Sequence, residues 1–306
     1  MLPSLSDSDF PALTDEQISI NGVVMGEGTG YMLVDFNPWD APEVVATDVA
    51  LGARPGIISG KNTYKSRAVG FRVFIAGSAD TKADTHALGT AIRTAMQPSD
   101  TDVPLHFSIA GTQYFMMGRP RSVKADTKRW GAGHLTFECR FLATDPRIYV
   151  SSLQYAASSL YTTDGVSGLN FPIQFPLDLK GTTSTLSPPQ AALCINNGQI
   201  STGWFMAIEA IDSVTGVSID FYPPDSPTST QKLDFPSINI PAGSRLLIDS
   251  SEHAVLLYSG SGYVGARNFL SADSTWWDLP VGESSFLINV SAGTATATIN
   301  WFNTEV

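Results

Sequence analysis

The chain has 306 residues, enough for two hydrophobic cores, since single cores seldom grow beyond about 250 to 300 residues. Charged residues make up only 15% of it, against about 25% in typical soluble domains, whereas aromatic residues make up 10% and there are 26 glycines and 19 prolines. This composition excludes a disordered chain and favours strands and turns over helices.

Charge is divided unevenly along the chain. Residues 1–150 hold 14 Lys and Arg against 16 Asp and Glu, and residues 151–306 hold 4 against 13, which gives formal charges of −2 and −9. Nucleic-acid affinity comes mainly from clustered Lys and Arg, so we expect no sequence-specific nucleic-acid binding. The amino terminus lacks a basic region followed by an apolar stretch, and no run approaches the roughly 18 apolar residues of a spanning helix, so we also expect no membrane insertion.

The first half begins with strands and an irregular stretch. Gln17 to Phe36 predicts two short strands around a glycine-rich turn at Gly26 to Gly30. The single G-x-G spacing there lacks the strand, loop and helix order of a dinucleotide site. Ala41 to Lys65 is rich in Gly, Pro and Asp with little periodicity, and Ala68 to Gly77 is a clear strand.

One helix is predicted, from about residue 81 to residue 96. Its apolar residues recur at helical spacing, and Thr81 or Asp80 can cap its start. Gln97-Pro98 ends it. The residues assigned to the buried face are Ala87, Leu88, Ala91, Ile92, Ala95 and Met96.

Further strands close the first half. VPLHFSI and TQYFMMG meet at a turn at Ala110-Gly111, and Leu135, Phe137, Cys139 and Phe141 alternate with polar residues in a later strand. Asp145-Pro146 then breaks the pattern. We therefore predict two domains, residues 1–148 and residues 149–306.

The second half predicts a β-sandwich or jelly roll, because short strands follow one another with turn residues between them. A hairpin is expected with Ser250 to Glu252 at its tip and a turn at Thr215-Gly216. Three sets of residues should each share a buried face: Trp204, Met206, Ile208 and Ala210; Val217, Ile219 and Phe221; Ala295, Ala297, Ile299 and Trp301.

Motifs for catalysis are absent from the sequence. None of the four histidines lies in a motif, and the hydrolase, metalloprotease, redox and nucleotide signatures are missing. We predict no enzyme activity, no cofactor and no catalytic residue. An undetected glycosidase with two paired carboxylates stays open, because such a pair forms only in three dimensions.

Three smaller features have competing interpretations. Asp249, Glu252 and His253 come nearest to a metal cluster, but we interpret them as a solvated hairpin tip and predict no metal site. Cys139 and Cys194 are predicted to be buried thiols. Trp276 and Trp277 could stack on a sugar ring, although a Trp pair that leads into a strand more often supplies core or interface area.

The order of motifs in the second half resembles the carboxy-terminal domain of distal tail proteins of bacteriophages with long, non-contractile tails. The parts are LNFPIQFPLDL, LCINNG, WFMAIEAI, TGVSIDF, SRLLIDSSEHAVLLY, STWWDLPVGESSFLINV and TINWFN. The first half, a β-domain with one helix that ends in FLATDPRIY, is similar to the ring-forming domain of that family, which is itself similar to tail-tube proteins. The resemblance covers nearly the whole chain.

The resemblance implies a structural virion protein that forms a hexameric ring between the tail tube and the baseplate or tip, around a channel for DNA. A galectin-like carboxy-terminal domain would project outward. Implied partners are other copies of the chain, the tail tube protein and tip proteins. The implied location is the virion tail tip, after assembly in the host cytoplasm.

Two further expectations concern binding residues. The irregular segment fits an inter-subunit arm that includes Arg54, Pro55, Lys61 and Tyr64, although it also fits a disordered loop. The alternative function is a carbohydrate-binding adhesion module of the tail tip, with Trp276 and Trp277 as its glycan contacts. The sequence lacks the galectin-style H-x-N-x-R motif, so a galectin-like shape alone would not imply lectin activity.

Overall fold

A computed structural model of the chain describes residues 10–51, 57–77, 79–161, 191–226 and 228–306. Antiparallel strands dominate these ranges, and they contain one α-helix. The predicted mostly β fold is confirmed. The chain divides into two units, which are the described parts of Ser4–Ser152 with Thr304–Val306, and of Leu153–Asn303. We call them the N-terminal and the C-terminal unit; the domain boundary after residue 148 stays a prediction.

The N-terminal unit contains the first twelve described strands and the helix. The elements are β1 (Gln17–Ile20), β2 (Val23–Gly26), β3 (Met32–Phe36), β4 (Val44–Ala46), β5 (Val49–Ala50), β6 (Ile57–Ile58), β7 (Asn62–Tyr64), β8 (Arg67–Ile75), α1 (Lys82–Ala95), β9 (Val103–Ile109), β10 (Thr112–Asp126), β11 (Leu135–Ala143) and β12 (Ile148–Tyr161). The last of these strands continues into the C-terminal unit.

The long strand β10 belongs to both layers of the N-terminal unit. Its first half pairs with β9, which pairs in turn with β1, and its second half pairs with β11. The register shifts at Arg121, between Pro120 and Ser122, where a β-bulge bends the strand. The order β10-β11-β8-β3 completes the second layer. Apolar side chains from both layers form the core between them.

Helix α1 packs on the inner side chains of β11, much as its apolar spacing predicts. Its buried residues are Thr85, Gly89, Ile92 and Ala95, whereas Ala87, which we assigned to the buried face, is exposed. A Cβ on Gly89 would lie 3.1 Å from both Leu135 and Phe137, so glycine there allows the helix to approach the sheet closely.

The segment Gln17 to Phe36 forms three strands, not the two that we predicted. Asn21 and Gly22 have φ values of 47° and 80°, which is the left-handed geometry of a tight hairpin turn. The Asn21 side chain also donates to the Ala95 carbonyl at 2.7 Å and so ties this turn to the end of α1.

The C-terminal unit is a sandwich of two antiparallel sheets. One has the strand order β13-β20-β15-β16, and the other has the order β19-β18-β17-β14-β21-β12. The remaining strands are β13 (Ala192–Asn196), β14 (Trp204–Ala210), β15 (Val214–Tyr222), β16 (Gln231–Ile240), β17 (Arg245–Asp249), β18 (Ala254–Tyr258), β19 (Tyr263–Gly265), β20 (Gly282–Ala292) and β21 (Thr294–Glu305).

The predicted faces of the sandwich strands are confirmed. The three sets assigned from β14, β15 and β21 are all buried in the core between the sheets. The predicted hairpin also forms, with Leu246 opposite Leu257 and Ile248 opposite Val255. The motif LNFPIQFPLDL lies outside the described residues.

One predicted turn is wrong. Thr215 and Gly216 lie inside β15, where the register shifts between Thr215 and Val217, so they form a β-bulge. Gly216 has a φ of 59°, a left-handed backbone conformation that glycine adopts in bulges as well as in turns. The connection between β14 and β15 lies earlier, at residues 211–213.

Candidate assembly surfaces

The irregular segment of the N-terminal unit forms a two-stranded ribbon, which we call the arm (residues 43–51 and 57–65). Strand β4 pairs with β7, and β5 pairs with β6 farther out. Between the two pairs, the Gly60 N–H donates to the Asp48 carboxylate at 2.8 Å. Near the root, Lys65 Nζ lies 2.8 Å from Glu43 Oε1. Asp48 and Gly60 therefore lie where the ribbon is interrupted into two short strand pairs.

The buried Arg67 fixes the root of the arm. Its Nε donates to the Pro146 carbonyl at 3.0 Å, and its Nη1 donates to the carbonyls of Pro38 at 2.7 Å and Asp40 at 2.9 Å. Burial lowers the pKa of this guanidinium, and the Asp40 charge partly offsets that effect. One side chain thus holds the chain just before the arm against the loop that precedes β12.

Trp39 provides a second anchor beside the root. Its ring meets Tyr114 edge to face at a centroid distance of 5.2 Å, and Phe107 at 6.1 Å. Edge-to-face pairs of this kind add to the energy of area burial. The root is therefore held by aromatic packing as well as by hydrogen bonds.

The arm itself exposes apolar side chains along its length. Val44, Val49, Ile58 and Tyr64 are 49% to 61% exposed. Lys61 is exposed too, and it forms no ion pair within the described residues. Of the four predicted arm residues, Lys61 and Tyr64 thus lie on this surface, whereas Arg54 and Pro55 lie outside the described residues. A two-stranded ribbon is marginally stable in water unless it packs on another surface, so the arm has the properties of a binding element.

A groove of about 600 Å³ lies beside β3 in the same unit. Ile18 and Ile109 line it, as do the residues of β3 and the turn from Gly26 to Thr29. The sequence alone does not indicate this groove. Its walls come from segments far apart in the chain, and only the tertiary structure brings them together.

The two tryptophans of the second half have different environments. Trp277 is only 6% exposed and stacks on Phe221 at a centroid distance of 5.1 Å, while the Trp204 indole N–H donates to the Trp277 carbonyl at 3.0 Å. Trp276 is half-buried and stacks on His253 at 4.9 Å. The structure thus places Trp277 in the core and leaves part of Trp276 at the surface; glycan contact stays a prediction.

In the hairpin tip near His253, a carboxylate stabilises the turn. Asp249 is buried, and its carboxylate accepts the N–H groups of Ser251 at 2.9 Å and Glu252 at 3.2 Å, which closes the turn. Burial raises the pKa of Asp249, and these hydrogen bonds act in the opposite direction. Within the described ranges, no three His, Cys, Asp or Glu side chains converge as metal ligands would.

Burial keeps two cysteines and one histidine in their uncharged forms. Cys139 and Cys194 are buried free thiols, as predicted, and burial raises the pKa of each to about 12. Each therefore stays protonated and is a poor nucleophile. Burial lowers the pKa of His106 to about 4, so this histidine is neutral at pH 7.

No helix in the described part of the chain combines the length and the apolar character needed to cross a bilayer.

Comparison with solved structures defines the class of fold. No protein-family model matches the chain, and no curated protein matches it by sequence. In three dimensions the chain has the fold of phage tail hub and baseplate proteins. The resemblance to distal tail proteins is thereby confirmed at the level of the fold.

The individual matches extend over nearly the full chain. The Dit protein of phage SPP1, described as a paradigm of the hub adsorption apparatus in phages that infect Gram-positive bacteria, is 12% identical with a TM-score of 0.64, over 95% of this chain and 99% of that chain. The phage P2 baseplate in its activated conformation with Ca is 10% identical with a TM-score of 0.55, over 94% and 97% of the two chains. The same baseplate with Sr is 10% identical with a TM-score of 0.53, over 93% of this chain and 96% of that chain.

Proposed function

We propose that the chain is a structural protein of a phage virion that forms a ring, hexameric by its resemblance to distal tail proteins, between the tail tube and the baseplate or tip. The observation that carries the proposal is the match to SPP1 Dit over 95% of this chain and 99% of that chain. Fold likeness alone does not fix function, so the surfaces of the chain must supply the rest of the argument.

The arm supports self-assembly on physical grounds. It exposes apolar side chains on a thin ribbon, while its root is fixed by Arg67 and Trp39. A protruding element that binds a different surface on the next copy makes a head-to-tail contact. Repetition of such a contact closes into a ring when the rotation fits, and otherwise extends into a filament.

The two domains then have different roles in this proposal. Residues 1–148 form a tail-tube-like ring around a channel for DNA, and residues 149–306 form a galectin-like sandwich that projects outward. Tail tube and tip proteins bind the two faces of the ring. The chain works in the virion tail after assembly in the host cytoplasm, and it catalyses no reaction.

Imaging of the purified full-length chain by negative-stain electron microscopy tests this function. We expect rings with a central opening, and antibodies against the chain should label the tail tips of virions. A particle that stays monomeric at high concentration, from a protein that is also absent from virions, would rule the function out.

The alternative function, carbohydrate binding at the tail tip, now depends on Trp276. This ring is the member of the Trp pair with exposed area, and His253 holds it in place from one side. A folded Trp276→Ala variant should bind host cell walls more weakly than the unaltered chain if this function is correct. Equal binding by the two proteins would remove it.

A further inference from the structure

Strand β3 has a free edge that opens onto the groove. In the described part of the chain, β3 pairs with β8 alone. A free edge is a template for pairing with another strand, and proteins usually protect such edges with charges or bulges. Here a bulge lies at Val34, but Met32 at 59% and Val34 at 55% are among the most exposed apolar side chains of the unit. The edge is thus incompletely protected.

Carboxylates surround this edge. Glu16, Glu27 and Asp35 line the groove, and none of them forms an ion pair within the described residues. Glu16 has a φ of 58°, an unfavourable backbone conformation for this residue, and its N–H donates to the Ser108 carbonyl at 3.0 Å. The groove therefore combines an apolar floor, free main-chain groups and three unneutralised negative charges.

The arm has complementary properties. Its strands pair only with one another in the described residues, so the outer edges of β4 and β7 are free. Val49 and Ile58 face each other across the ribbon and are exposed. Lys61 supplies a positive charge that no carboxylate of the described residues neutralises.

We propose that the groove beside β3 of one copy receives the arm of the next copy. An outer strand of the arm pairs with the free edge of β3, in the manner of strand addition to an exposed sheet edge. Apolar arm side chains cover Met32 and Val34, and Lys61 enters the field of Glu27 and Asp35. The inference rests on the proposed ring, because it names the two surfaces that make the head-to-tail contact.

Complementary charges allow a specific test with the full-length chain. The groove variant Glu27→Lys with Asp35→Lys should assemble only at a concentration about tenfold higher or more, since like charges now oppose Lys61. The control variant Asp100→Lys with Asp212→Lys has the same net charge change at exposed positions away from the groove and should assemble normally. Addition of Lys61→Glu to the groove variant should restore assembly.

A mixing experiment separates this contact from other interfaces. The arm variant combines Val49→Ser, Ile58→Ser and Lys61→Ser, and it should not assemble alone. The groove variant keeps an intact arm and the arm variant keeps an intact groove, so an equal mixture can make one good contact. We expect a dimer of one copy of each in analytical ultracentrifugation, while circular dichroism shows that both variants are folded.

Three outcomes decide whether the arm of one copy binds the groove of the next. Loss of assembly in both variants, with a dimer in the mixture, supports the contact. Normal assembly of the groove variant overturns the contact and leaves the proposed ring intact. An unaltered chain that is monomeric at every concentration overturns both the ring and the contact.

Discussion

At the scale of single residues, Arg67 holds the chain just before the arm in place. It is 2% exposed and donates to three carbonyls, two of which lie just before the arm. In an Arg67→Met variant these acceptors lose their donor, so we expect the free energy of unfolding of the N-terminal unit to fall by about 2 to 4 kcal/mol. Urea unfolding followed by circular dichroism measures this loss.

A second arginine provides the matched control for this prediction. Arg72 is exposed and lies 3.3 Å from Glu138, an arrangement that contributes little to stability. An Arg72→Met variant should lose no more than about 0.5 kcal/mol. Equal losses in the two variants would contradict the role assigned to Arg67.

His106 makes the N-terminal unit sensitive to acid. Burial lowers its pKa to about 4, below the roughly 6.5 of an unfolded chain, so the unfolded state binds the proton more readily between these values. The stabilisation is full above about pH 6.5 and is lost as the pH falls toward 4, by roughly 3 kcal/mol. In contrast, the pKa of Asp102 is lowered, mainly by the hydrogen bond from the Thr144 hydroxyl and also by Arg119. Protonation of this carboxylate therefore lowers the free energy of unfolding only at still lower pH.

Replacement of this histidine isolates its effect. His106 contacts the rings of Phe10 and Phe115, so phenylalanine fits the site chemically. The free energy of unfolding of a His106→Phe variant should change less between pH 7 and pH 4.5 than that of the unaltered chain. The exposed His86→Gln variant should behave like the unaltered chain, and a His106→Phe variant with the same pH dependence would refute the prediction.

At the scale of elements, the β15 bulge depends on one glycine. Gly216 has a φ of 59°, and a Cβ there would lie 2.4 Å from Ser291 Oγ. Gly260 has a similar φ of 69° but has no atom within 4 Å of such a Cβ. Alanine costs about 1 kcal/mol at both positions for the left-handed backbone, and it should cost roughly 1 to 2 kcal/mol more at Gly216 because of the contact. Thermal unfolding of the two variants tests this difference.

The elements also show what local sequence can predict. Alternation in β11, β14 and β21 predicts the buried faces correctly, because one-sided burial imposes a period of two residues. The turn predicted at Thr215-Gly216 is a bulge in the structure, because turns and bulges both select glycine at positive φ. Asn21-Gly22 is a strong hairpin signal that we overlooked.

Long-range pairing limits the prediction of the candidate surfaces. The strands of the arm have only two or three residues each, too few to show a period. The groove joins residues from Glu16 to Ile109, so its composition emerges only when β1, β3 and β9 are assembled. The sequence therefore fitted either an arm or a disordered loop, and it gave no indication of the surface beside β3 that we propose as the receptor of the arm.

At the scale of the whole molecule, charge and surface features separate by unit. The half with a formal charge of −2 contains the arm and the groove, whereas the half at −9 contains the sandwich. Copies with strongly negative sandwiches repel one another, which favours contacts through the nearly neutral half. This distribution supports the proposed self-assembly through the N-terminal half.

In the proposed function, the chain assembles with itself into a closed ring. Native mass spectrometry of the full-length chain over a range of concentrations tests it most directly, because it counts the copies in each species. We predict one dominant assembly of six copies, with no larger members of a series. A monomer at every concentration, or an open-ended series of sizes, would contradict the claim.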